Sequence, residues 1–220
     1  MMKTRPHSGI SAPRAMLDEL RDLAVAHPVS ARAQAWDYLA GLGARDDRAA
    51  LAEVFAGGTA PEGPDGKMEG QIVGKLFGIP EARLANPLMR IDPTWRGKTF
   101  DLAGGVGWNR LSPIAALVMP IIGAGYLGLR RVGAEMEGFD FAHALAPSWL
   151  DATTTVRALD YAVPEYRNPS VRTFPIARTR DEIVEVTPGV NLGRALLRGD
   201  DGGIRPIAYF ALREPIGSPL

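Results

Sequence analysis

The sequence predicts a mainly β protein with N-terminal helices (α+β), its strands forming an antiparallel barrel or a strongly curved sheet. Three observations carry this. Apolar residues repeat at helical spacing only in the first quarter of the chain. Beyond Gly57 short β-branched and aromatic runs alternate with Gly- and Pro-rich turns. Both parities of the last run are apolar, as when a sheet packs on helices outside and encloses an interior within.

The elements follow in order. Residues 1–11 read as a disordered start, 12–56 as a helical segment and 57–220 as a barrel-like domain. Ser11 can cap a first helix with Pro13 in its first turn, and Leu17, Leu20 and Ala24 mark its apolar face. His27-Pro28 ends it. Ser30 can cap a second helix closed by Gly41 and Gly43, and Asp46 or Asp47 can start a third bearing Leu51, Val54 and Phe55. Three short helices are marginal alone and must pack on something.

GGTAPEGPDG is a loop. KMEGQIVGKLFG alternates as a strand, with Met68, Ile72 and Leu76 on one parity. IPEARLANPLMRIDP is ambiguous and admits a short helix, WRGKTFD is extended, and GGVGWNR is a loop. Residues 111–129 carry no charge, and a membrane helix needs about 20 such residues. Pro113 and Pro120 break the run, so a buried strand, a short-helix pair or an apolar mouth is the preferred reading. TTTV opens the next strand, VRTFPIA is an edge strand because of Pro175, and DEIVEV follows. VNLGRALLR and IRPIAYFALRE form a hairpin over GDDGG. In the last strand Ala208, Phe210 and Leu212 face one way, and Ile207, Tyr209 and Ala211 the other.

Composition excludes several functions. Lys plus Arg equals Asp plus Glu at 25 each, which speaks against a nucleic-acid binder. The absence of cysteine removes disulfides, thiolate metal sites and Cys nucleophiles. With three histidines, a His-rich metal site is not expected, and a Ser-His-Asp triad would have to use His143 without a nucleophile elbow. No metal and no cofactor are expected. MMKTRPHSGISAPR has no apolar core behind its basic start, so the expected location is cytoplasmic.

Four pieces carry a resemblance: PDGKMEG (64–70), WRGKTFD (95–101), NLGR (191–194) and YFAL (209–212). WRGKTFD resembles the W-x-G-K-x-F segment of small bacterial GXWXG-type proteins, where it precedes a β-rich C-terminal domain of unknown function. The likeness covers roughly residues 50–214. It implies a compact lipocalin-like domain and transfers no activity. In that group a polar residue stands where this chain has Trp108.

Candidate site residues are each weighed against a plainer role. An inward Lys98 beside Trp95 could hold a carboxylate head group or form a Schiff base; a solvated lysine is the plainer and preferred reading. Strand alternation would put Trp95, Gly97 and Thr99 on one face and Arg96, Lys98 and Phe100 on the other. Asn109 could bond a ligand at a barrel mouth or be a turn residue, with Trp108 beside it. Asp160-Tyr161 lies in an apolar strand, where a carboxylate needs Arg157, Arg172 or Arg178 as partner, or faces solvent. Asp181 and Glu182 are adjacent and so point to opposite faces, which argues against a catalytic pair and for a charged strand start.

The leading reading is a non-enzymatic protein that binds a small hydrophobic or amphipathic molecule through Trp95, Lys98, Trp108, Asn109, Arg157, Asp160 and Tyr209. The alternative is a cofactor-free cyclase or isomerase using Asp160, Tyr161 or Lys98. A third is an interaction or peripheral-membrane protein that makes contact through residues 111–129.

Overall fold

The computed structural model describes residues 13–77, 94–117, 126–171 and 175–215. Three helices come first: α1 (Pro13–Ala26), α2 (Pro28–Ala44) and α3 (Arg48–Gly57). Pro28 sits in the first turn of α2, where its missing N–H is not needed. The helix therefore starts two residues before Ser30, and His27, not Ser30, occupies the cap position. Nor do Gly41 and Gly43 close it. They lie inside the last turns, and a Cβ on Gly43 would sit 2.6 Å from the Gly74 backbone nitrogen, so glycine lets the helix lie against the sheet. Asp47 caps α3 by accepting from Ala50 N at 3.1 Å.

The strands are β1 (Gly66–Val73), β2 (Trp95–Asp101), β3 (Val106–Leu111), β4 (Arg130–Val132), β5 (Glu135–Pro147), β6 (Thr155–Asp160), β7 (Thr179–Thr187), β8 (Val190–Arg198) and β9 (Ile204–Arg213). Every pairing is antiparallel. The order β3-β2-β1-β9-β8-β7-β6-β5-β4 is joined into a ring by the β3–β5 pairing. Eight strands thus close a lipocalin-like barrel, and β4 is a short addition to β5. Closure satisfies edges that would otherwise be left open.

Two apolar layers follow from strand alternation. Val156, Val184, Val186, Leu192, Tyr209 and Ala211 face outward and join Leu20, Leu39, Leu51 and Phe55 of the helices. Met68, Phe100, Phe141, Leu159, Ile183, Phe210 and Leu212 fill the interior. The last strand divides as its parity predicts, with Phe210 and Leu212 inside and Tyr209 and Ala211 beneath the helices.

Several local expectations are corrected. Gly97 takes φ +131 and the β2–β3 register shifts between Trp95 and Gly97. This bulge turns Trp95 to the same side as Lys98 and Phe100, against simple alternation. A side chain at 97 would collide with the Met68 carbonyl and Gly70 N. Gly97→Ala is expected to lower stability by about 3 kcal/mol, seen as a lower urea midpoint at unchanged slope. Thr153 and Thr154 are turn residues held by Asp151, whose carboxylate accepts from both hydroxyls, and β6 begins only at Thr155. The GVGWNR stretch is largely strand β3, and Ile176–Arg178 is a 3-10 turn and not part of an edge strand. Residues 78–93, 118–125 and 172–174, on which further sequence expectations fall, lie outside the described residues. Of the uncharged stretch, Leu111, Ala115, Tyr126 and Leu129 pack into the interior cluster. Among the described residues no helix is long and apolar enough to cross a membrane.

One end of the barrel is closed by residues 58–65. Thr59 exchanges backbone hydrogen bonds with Glu185, and Asp65 accepts from Leu102 N at 3.0 Å. Arg157 reaches this segment from the lumen, donating through Nε to the Pro61 carbonyl at 2.9 Å and through its other nitrogen to the Glu62 carbonyl. At the opposite end β1 and β3 finish while β2, β5 and β7 begin. Ile72, Trp95, Tyr126, Leu129, Met136 and Ile176 gather there, only partly buried against the interior cluster.

Candidate functional site

A polar network lies inside the barrel between this partly buried apolar end and the packed interior. Lys98 of β2 is 2% exposed, and its Nζ donates to Asn109 Oδ1 at 2.8 Å and to Tyr161 OH at 2.6 Å. Its third partner is Asp181 Oδ2 of β7, at 2.9 Å. All three N–H groups of the ammonium are therefore committed. Tyr161, the residue just past β6, donates its hydroxyl to Asp181 Oδ2 at 2.8 Å. Asn109 of β3 is the hub. Its oxygen also accepts from Trp95 Nε1 at 2.9 Å, and its Nδ2 donates to the Phe139 carbonyl at 3.1 Å and to Tyr161 OH at 3.2 Å.

Register explains the convergence. Lys98 pairs directly with Asn109 across β2–β3, and directly opposed residues share a face. Asp181 lies two residues before Ile183 and so shares its inward face. Four rings enclose the ammonium: those of Trp95, Phe141, Tyr161 and Phe210, with centroids 5.1–5.6 Å from Nζ. Ring faces stabilise a cation that water no longer reaches. Burial nonetheless lowers the Lys98 pKa, and Asp181 opposes that shift. Burial, then the neighbouring Asp181 charge, raises the Tyr161 pKa well above 10.0, so the phenol stays neutral and serves as a donor.

The sequence candidates divide. Trp95, Lys98, Asn109 and Tyr161 meet in one cluster, so Lys98 is not solvated and Asn109 belongs to a strand, not to a turn. Asp160 faces outward opposite Arg180 and accepts from Ala162 N at 2.9 Å. A catalytic or ligand-holding Asp160 in the lumen is therefore excluded by strand alternation. Trp108 is also outside, with the Arg130 guanidinium 5.0 Å from its ring centroid. Tyr209 packs outside beneath α2 and α3, beside Phe77. Arg157 faces the lumen but at the closed end, far from pairing with Asp160. Asp181 is the residue that sequence reasoning missed. A charged strand start and an inward counter-ion look alike in sequence, and only its parity with Ile183 marks it.

Near the closed end His143 is held in one tautomer. Its Nε2 donates to the Asp101 carbonyl at 3.2 Å, and its Nδ1 accepts from Arg157 at 3.1 Å. Burial, then the Arg157 charge, lowers its pKa below 6.5. Below pH about 6.5 the unfolded chain takes up a proton that the folded chain resists, so stability falls as pH falls through this window. Replacing His143 with Gln should flatten that slope in urea melts between about pH 7 and 5. Among the described residues no Ser-His-Asp triad forms, because both His143 ring nitrogens are taken, one by the Asp101 backbone carbonyl and one by Arg157. Among the described residues no three His, Asp or Glu side chains converge as metal ligands.

Fold and site together define a helix-backed, lipocalin-like antiparallel barrel with an ion pair inside its lumen. No family model, no curated protein and no solved structure matches this chain.

Proposed function

We propose that this barrel binds a small amphipathic molecule, its polar end on the Lys98–Asp181–Tyr161 floor and its apolar part between Trp95, Leu111, Tyr126, Leu129 and Met136. The observation that carries the reading is the vertical order of the lumen. A hydrogen-bonded polar cluster lies under partly buried apolar side chains. Small-molecule sites combine mainly apolar walls with a few fixed polar groups in this way. The residues below the floor, Phe100, Phe141, Leu159 and Phe210, are packed, so the ligand seat is the mouth and not the whole lumen.

Native mass spectrometry of the protein tests this. The expected native mass exceeds the denatured mass by that of an organic molecule recoverable by solvent extraction. Equal masses, both as purified and after incubation with a mixed lipid extract, would contradict the reading.

The second reading is a cofactor-free isomerase or cyclase on the same seat. It is favoured by Tyr161, a neutral phenol that accepts from the Lys98 ammonium and would donate to a substrate oxygen on turning its proton away from Asp181. Under this reading Tyr161→Phe abolishes turnover while binding remains.

A further inference from the structure

We infer that the site selects a neutral hydrogen-bond donor, an aliphatic or terpenoid alcohol, over a carboxylate or an ammonium of the same chain; this rests on the binding reading above. Lys98 is the obvious anchor for a fatty carboxylate, but its positive charge is already cancelled by Asp181 at 2.9 Å. Its three N–H groups point to Asn109, Tyr161 and Asp181, leaving none for a ligand. The Tyr161 hydroxyl proton is also committed, to Asp181. A carboxylate entering the mouth would lose water, find no free donor at the floor and lie beside a like charge.

The remaining capacity of the floor is an acceptor. Asp181 Oδ2 takes the bonds from both Tyr161 and Lys98, whereas Oδ1 has no bond among the described residues. Asp181 is also the more accessible partner, its side chain 8% exposed against 2% for Lys98. Carboxylate oxygens accept more than one hydrogen bond each, so Oδ1 can receive an alcohol proton with no loss to the ion pair. An ammonium could donate there too, but it would be buried among apolar side chains on a floor whose net charge is already zero, with Lys98 as a near like charge. An ether or ester of the same length offers no donor. The floor therefore ranks ligands by head group: alcohol first, ether next, ions last.

The test is equilibrium binding of 1-decanol, decyl methyl ether, decanoate and protonated decylamine to the full chain at neutral pH, measured by ultrafiltration and chromatography. Wild-type protein is expected to prefer decanol to decanoate and to decylamine by about tenfold or more, with the ether between. In Asp181→Asn the ammonium loses its counter-charge, and decanoate is expected to gain about tenfold relative to decanol. Decanoate or decylamine binding wild type as well as decanol would overturn the selectivity while leaving the binding reading intact. No binding by any of the four would overturn both. The wild-type ranking decides the matter even if the variant does not fold.

Discussion

Asp181→Ala is expected to cost about 3–5 kcal/mol of stability, because it leaves the Lys98 ammonium buried without a counter-charge. The loss has a diagnostic pH dependence. Burial already lowers the Lys98 pKa, and Asp181 is what opposes that shift, so its removal lowers the pKa further. Between the folded value and the unfolded value of 10.5 the unfolded chain binds the extra proton, and stability then rises with pH. The deficit of the variant should therefore shrink from about pH 7 to about pH 10. Lys98→Met in the same background should recover about 1–3 kcal/mol as coupling energy, since it removes the orphaned charge. Equal deficits at both pH values and additive single effects would contradict an interior ion pair.

The second large effect lies on the other face of the same strand. Glu182 is fully buried beneath the 147–155 connection and α3. It accepts from Trp149 N at 2.6 Å, from Ser148 Oγ at 2.9 Å and from Arg194 through two nitrogens at 2.8 and 3.1 Å. Arg194 in turn lies 4.0 Å from the Phe55 ring centroid, tying α3 to the barrel. Glu182→Ala leaves the guanidinium and a backbone N–H without their partner, at an expected cost of about 3–5 kcal/mol. Glu182→Gln keeps a single acceptor oxygen, enough for Trp149 N while its amide NH2 donates to Ser148 Oγ, and should cost about 2–3 kcal/mol. Urea unfolding followed by Trp fluorescence measures both. An equal loss in the two variants would show that the charge on Glu182 carries the whole effect, and a Gln variant as stable as wild type would show that the charge is immaterial.

The barrel was legible in the sequence because alternation and turn chemistry are local. GDDGG and the two-sided apolar last strand each announce their role within a few residues. The helices were legible for the same reason, although Pro28, which in the sequence marks only an end to α1, also starts α2. The site was partly legible. Lys98, Asn109 and Tyr161 stood out as polar residues in apolar runs, but their meeting depends on pairings over long sequence separations. The Gly97 bulge rotates Trp95 into the lumen, and nothing in WRGKTFD distinguishes it from an unbroken strand. Asp160 and Asp181 look alike in the sequence. Each is a carboxylate near a strand end, and only the register opposing Leu159 to Asp181 and Asp160 to Arg180 puts one inside and the other outside.

The most direct measurement is an isotope-filtered nuclear Overhauser experiment on labelled protein with bound 1-decanol. Protons beside the hydroxyl carbon should contact the rings of Trp95 and Tyr161, while the chain contacts Leu111, Leu129 and Met136. Contacts confined to outward residues such as Trp108, Trp149 or Tyr209, or none up to ligand saturation, would contradict a polar-floored seat inside the barrel.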